Sequence, residues 1–283
     1  MKVATVEWSR RAWEEIRKPD DLWGEIEKYL KKAIQEEVEL IVFPGFTGCF
    51  YAQLTSPAEN LYDLSRKLDA QIYVDQIKKL SLKYNLLICS GSYWERKEDK
   101  VFHTSSLIYR GEILLHQQQL YLARWERELN LSRGVEAEVK EIEGKKMGIV
   151  VSTDVFYPQV SRRLALRGVE IILSPVGYLG EKNKILQLCG LWEEVQQNQF
   201  FAVESGFNGF LRKFSFWGES TIYAPLEMTA NGDGYLKRSK GKDDLIIATL
   251  DNQKREQAIS RFNVLSQLNR DFYWKMKMFK KKE

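Results

Sequence analysis

The chain has 283 residues, with 43 Lys or Arg against 39 Asp or Glu; a net charge of +4, so small and evenly mixed, argues against a nucleic-acid surface. No apolar run reaches the 18 or so residues needed to span a membrane, and Lys2 to Trp8 reads as a strand rather than a secretory leader, so the expected place is the cytoplasm. Three cysteines, an odd number without C-x-x-C spacing, indicate neither a disulfide framework nor zinc, and no motif asks for a cofactor.

After the first strand, Asp21 to Gln35 is a helix with Leu22, Ile26, Tyr29, Leu30 and Ala33 on one face, followed by a strand at Leu40 to Phe43. Tyr62 to Tyr84 reads as a second helix, with Leu64, Leu68, Ile72, Val74, Ile77 and Leu80 at near-helical spacing. Strands are expected near Leu86 to Tyr93, Thr104 to Tyr109 and Glu112 to Leu120. Met147 to Val151 is a short buried strand, and Pro158, Val160, Leu164 and Leu166 begin a helix. Lys184 to Asn198 is a later helix, with strands near Phe214 to Tyr223 and Leu245 to Leu250. Alternating helices and strands, without repeats or long linkers, predict an α/β fold, an α-β-β-α sandwich in one domain spanning 1–283.

Ser152 stands at the carboxyl end of the Met147 to Val151 strand, just before the helix. A side chain at such a turn is held toward a crevice, beside backbone N–H groups able to bind a developing oxyanion. Taken alone, this is one ordinary β-α unit.

Further blocks change that reading. They are Leu40 to Pro44 with Thr47-Gly48; Leu114 to Leu120; Gly148 to Pro158 with Gly168 to Pro175; Gln197 to Phe201 with Gly209; and Trp217 to Pro225. In this order they resemble the nitrilase, or carbon-nitrogen hydrolase, superfamily over nearly the whole chain. The resemblance implies a four-layer α-β-β-α sandwich. It also implies a glutamate general base, a lysine that stabilises the oxyanion and a cysteine that attacks a nitrile or amide carbon. Carried over by position, these are Gly45, Gln117 and Ser152.

All three side chains differ from the family's. Gly45 offers no proton acceptor, which removes general-base catalysis worth roughly 10² to 10⁴ in rate. Gln117 donates without charge, and Ser152 ionises far less readily than a thiol and needs an adjacent base. Gln197, Gly206 and Thr153 also depart from the family's pocket pattern, whereas Asp154, Ser174 and Pro175 persist as scaffold.

Substitutes for the base are few. His116 should face away from Gln117 on its strand, and His103 is the chain's other histidine. Glu126 or Glu128 is a candidate base for Ser152, although the ordinary reading of both is a solvated loop carboxylate. Cys49 is read as a loop thiol, Cys89 as a core residue in a strand, and Cys189 as helical and without a motif.

Three functions are compatible with these residues. One is a non-catalytic protein binding a small amide, nitrile or carboxylate ligand, or acting as partner subunit to an active relative in a hetero-oligomer. A second is an unconventional amide, ester or nitrile hydrolase with Ser152 as nucleophile. A third is a structural role, with the pocket filled by side chains such as Phe156, Tyr157, Tyr178 and Trp192. The resemblance further implies a homodimer through Pro158 to Arg167 and Phe262 to Met278, the latter containing Phe272, Tyr273 and Trp274. The basic tail Lys275 to Glu283 is assigned no function.

Overall fold

The computed structural model describes residues 1–67, 70–269 and 271. Its first half runs β1 (Lys2–Glu7), α1 (Arg10–Glu15), α2 (Pro19–Gln35), β2 (Leu40–Val42), α3 (Thr47–Thr55), α4 (Leu61–Lys67), α5 (Ala70–Tyr84), β3 (Leu87–Lys97), β4 (Lys100–Tyr109), β5 (Glu112–Gln118) and α6 (Arg124–Glu128). The second half begins with β6 (Val139–Ile142), β7 (Lys145–Ile149), a 3₁₀ turn (Ser152–Phe156), α7 (Pro158–Leu166), β8 (Ile171–Val176) and β9 (Tyr178–Leu179). Then come α8 (Lys184–Gln187), a π turn (Leu188–Trp192), α9 (Glu193–Asn198), β10 (Phe201–Gly206), β11 (Phe210–Leu211), β12 (Phe214–Trp217), β13 (Thr221–Tyr223), β14 (Tyr235–Arg238), β15 (Asp244–Thr249) and α10 (Asn252–Arg261).

Two six-stranded sheets result, ordered β15-β1-β2-β3-β4-β5 and β14-β13-β10-β8-β7-β6. Each has a parallel centre: β1-β2-β3 in the first, β7-β8-β10 in the second. Val42, Cys89 and Leu115 of the first sheet meet Met147, Leu173 and Val203 of the second in a core between the sheets. Helices α1 to α5 cover the outer face of the first sheet, and α7 and α9 that of the second, giving the expected α-β-β-α layers. Strands buried on both faces read as continuous apolar runs, which is why Leu40 to Phe43 and Met147 to Val151 were recognisable.

Helix α2 follows its sequence pattern closely. Pro19 stands in the first turn, the Asp21 carboxylate accepts the Arg17 and Lys18 N–H groups, and the five predicted apolar residues are buried.

Three predicted elements come out divided. The Tyr62 to Tyr84 helix is two, α4 and α5, and Leu68 lies outside the described residues. The Lys184 to Asn198 helix is interrupted at Gly190, whose backbone is non-helical (φ −100°, ψ −124°) and whose missing side chain lets Val155 and Phe156 pack close. The Phe214 to Tyr223 strand breaks at Gly218 to Ser220, so that β12 and β13 enter different sheets. The loop expected around Cys49 is helix α3.

The sheets are also joined directly. Thr5 Oγ1 donates to the Glu204 carbonyl (2.8 Å), Ser205 Oγ to the Val6 carbonyl (3.1 Å) and the Gly45 N–H to the Ser205 carbonyl (3.2 Å). The last of these sits at the carboxyl ends of β2 and β10, the end of a parallel sheet at which ligands ordinarily bind.

Candidate active site

The turn after β7 carries Ser152 at φ +49°, a left-handed backbone that a non-glycine residue adopts only where its surroundings impose it. Two anchors impose it here. Ser174 Oγ donates to the Val150 carbonyl (3.0 Å), and the Asp154 carboxyl accepts the N–H groups of Leu120 (2.9 Å) and Tyr121 (2.7 Å). Burial pushes Asp154 up to about 8 despite those hydrogen bonds, so it serves as scaffold between the Ser152 turn and the chain leaving β5. Ser152 is itself buried, and no side chain among the described residues hydrogen-bonds its hydroxyl.

Gln117 does not reach this turn. Its amide donates to the carbonyls of Gln118 (2.8 Å) and Glu136 (2.7 Å) and accepts the Glu138 N–H (3.1 Å), tying β5 to the chain ahead of β6. The residue brought to the turn is Gln119, whose Nε2 donates to Thr153 Oγ1 (2.8 Å), the Tyr121 carbonyl (2.9 Å) and Glu126 Oε2 (2.9 Å).

Glu126 is not solvated. It lies on α6, fully buried, with Oε1 against His103 Nδ1 (2.9 Å) and Oε2 taking the Gln119 amide and the Ala123 N–H (2.7 Å). Glu128, by contrast, is exposed and pairs with Arg124 (2.9 Å). His103 Nδ1 also faces Gln119 Oε1 (2.6 Å), so this nitrogen carries the proton toward two acceptors. Its Nε2 shares a hydrogen bond with Ser92 Oγ (2.7 Å), which also accepts the Phe46 N–H (2.7 Å). Carboxyl, imidazole and hydroxyl therefore form a continuous chain, every member of which is buried.

The Phe46 ring lies over the imidazole at 4.7 Å between centroids and 22° between planes, with Phe216, Phe207 and Trp125 around it. Phe46 has φ +58°. The neighbouring Gly45 has no room for a side chain: a Cβ there would stand 2.4 Å from the Val176 carbonyl oxygen. Gly206 is equally constrained, since its Cβ would lie 2.3 Å from the Gly218 backbone. These two positions, at which the chain departs from the pocket pattern that the resemblance implies, are ones where the backbone admits only glycine.

The remaining candidates fall elsewhere. His116 pairs with Glu95 (3.0 Å) on the outer face of the first sheet. Cys49 is buried on α3, where burial pushes its thiol well above the ordinary range; Cys89 is pushed up to about 12, also by burial. Cys189 is exposed. Gln197 bonds to Glu193 (2.8 Å) at the surface. Tyr157 stacks on Tyr121 (3.9 Å), Phe156 contacts Tyr178 (5.4 Å), and Trp192 donates to the Asp233 carbonyl (2.9 Å). The ring placed within the polar cluster is thus Phe46 rather than any of these. Among the described residues no cluster of three or more His, Cys, Asp or Glu side chains is arranged to hold a metal.

Ser92, His103 and Gln119 had no sequence signal of their own. The one available clue was strand parity, which puts Gln117 and Gln119 on the same face and leaves either able to meet the turn.

A family model described as carbon-nitrogen hydrolase matches residues 2–259. The chain is 23% identical over 269 residues to the "Probable hydrolase YhcX" of Bacillus subtilis, covering 90% of this chain and 51% of that protein. It therefore spans about half the length of that relative. Among solved structures, the carbon-nitrogen hydrolase from Helicobacter pylori G27 superposes with a TM-score of 0.78 at 16% identity over 96% of each chain. A mutant of the amidase from Nesterenkonia sp. AN1, showing covalent addition of the acetamide moiety of fluoroacetamide at its active site cysteine, gives 0.75 at 16% identity, over 97% of this chain and 95% of that one.

Proposed function

The chain belongs to the carbon-nitrogen hydrolase family, and on that premise we propose that it is a non-catalytic member, holding a small amide, nitrile or carboxylate ligand or serving as a subunit beside a partner. The observation that carries this reading is Gly45, packed so tightly on Val176 that no general-base side chain fits there. A second supports it. Both oxygens of Glu126 are committed to His103, Gln119 and the Ala123 N–H, so this carboxyl is not free to take a proton from Ser152. Gln119, rather than Gln117, is the better counterpart of the family's lysine, because its amide meets the Ser152 turn.

The test is ammonia release from a panel of amides and nitriles, with Ser152→Ala as control. No release above that control is expected. Release by the wild-type protein that vanishes in Ser152→Ala overturns the reading in favour of a serine hydrolase.

That second reading has its own observation. The Ser152 hydroxyl has no hydrogen-bond partner among the described residues and sits on a left-handed turn, the posture of a nucleophile. It requires a base that no side chain among the described residues around Ser152 supplies.

A further inference from the structure

Behind the Glu126–His103–Gln119 cluster, on the outer side of the same backbone, lies a groove of about 510 Å³. Lys100, Arg127 and Arg133 stand around a floor of Phe102, Leu122 and Leu131, and no acidic side chain lines it. Neighbouring arginines are neutralised: Arg124 pairs with Glu128 and Arg163 with Glu136. The side chains of Lys100, Arg127 and Arg133 have no ion pair or hydrogen bond among the described residues. Gathering three unpaired cations at one groove is electrostatically unfavourable for the free protein, and an anion placed there relieves it.

The frame under these side chains is fixed by backbone hydrogen bonds. Leu131 N–H donates to the Glu126 carbonyl (3.1 Å), Ser132 N–H to the Val101 carbonyl (2.7 Å) and Gly134 N–H to the Gln119 carbonyl (2.8 Å). The groove's volume is in the range of small-molecule sites. Guanidinium forks match phosphate oxygens, the lysine adds a point charge, and the apolar floor suits the organic part of a ligand. We propose that this groove binds a small phosphorylated molecule carrying at least two negative charges, of the phosphate-ester or diphosphate class. The assignment is independent of whether Ser152 is catalytic.

The experiment titrates the full chain with inorganic pyrophosphate at low salt, by calorimetry and by melting temperature. Saturable binding is expected, about tenfold or more weaker in the Arg127→Gln/Arg133→Gln double variant, since each hydrogen bond to a charged group is worth roughly that factor. A control double variant, Lys79→Gln/Lys254→Gln, removes the same charge from exposed helix faces and should bind as the wild type does. Absence of saturable binding overturns the proposal, and so does equal weakening in the control, which would make it an effect of net charge alone. Citrate binding as tightly as pyrophosphate overturns the phosphate class. Binding to vesicles containing a phosphoinositide, without binding to soluble pyrophosphate, overturns the small-molecule assignment in favour of a lipid surface.

Discussion

At Gly45 and Gly206 the backbone of a neighbouring segment occupies the place of a side chain. Gly45→Glu is therefore expected to destabilise the fold by about 3 kcal/mol or more through overpacking, and to restore no hydrolysis. Denaturant unfolding and ammonia release measure both, and a stable variant with activity would show that the Val176 backbone moves aside. Phe46→Ala should cost about 3 kcal/mol for the lost ring, with no relief of backbone strain, because alanine at φ +58° is still left-handed. It should also open a cavity over His103 that takes up small aromatic molecules, visible as a ligand-dependent rise in melting temperature; no rise with any of them would mean that the site collapses. At this scale the sequence singled out Gly45 and the serine at the turn after β7, since each is a single residue within a local pattern. It did not distinguish Gln117 from Gln119, because residues two apart on a strand face the same way. It singled out Glu126 but not its partners His103 and, beyond that, Ser92, which are 23 and 11 residues from their neighbours in the chain of hydrogen bonds and meet them only through the pairing of β3 with β4 and the return of α6.

The elements around the second sheet hold a different buried carboxyl. Glu204 on β10 accepts from Tyr178 at β9 (3.0 Å), Tyr223 on β13 (2.6 Å) and Gln187 at the end of α8 (2.7 Å). Burial nevertheless raises it from 4.5 to about 7. The folded state thus keeps a proton that the unfolded chain releases near 4.5, so this contribution to stability is complete below that pH and is lost as pH rises through about 7. Asp154 acts in the same sense up to about 8. Glu204→Gln should flatten part of the fall in melting temperature between pH 4.5 and 7, and a profile parallel to the wild type's would refute the assignment. Helix α7 followed the predicted pattern, with Val160 and Leu164 buried, because both its Pro158 start and its apolar spacing are local. The break at Gly190 was hidden, since glycine within an apolar periodic run does not announce which neighbours will crowd against it.

For the whole molecule, the two sheets facing each other leave α7 on the outside, with Leu166 exposed while Val160, Leu164 and Ala165 pack inward. A homodimer through this helix is the assembly the family resemblance implies; Phe272, Tyr273 and Trp274 lie outside the described residues. Sedimentation should find a dimer that Leu166→Asp weakens by about tenfold, the scale of one desolvated charge at an interface. A monomeric wild type would refute it. Among the described residues no helix is long and apolar enough to cross a membrane. By itself the sequence determined the layered α/β fold and its family, because hydrophobic period, turn residues and the order of blocks are written along the chain. The tertiary structure alone decided the state of the site. Whether Gly45 has room, which glutamine meets Thr153 in the Ser152 turn, and whether Glu126 is solvated or locked to His103 depend on segments far apart in sequence, brought together by packing of the two sheets and by the need to satisfy buried polar groups.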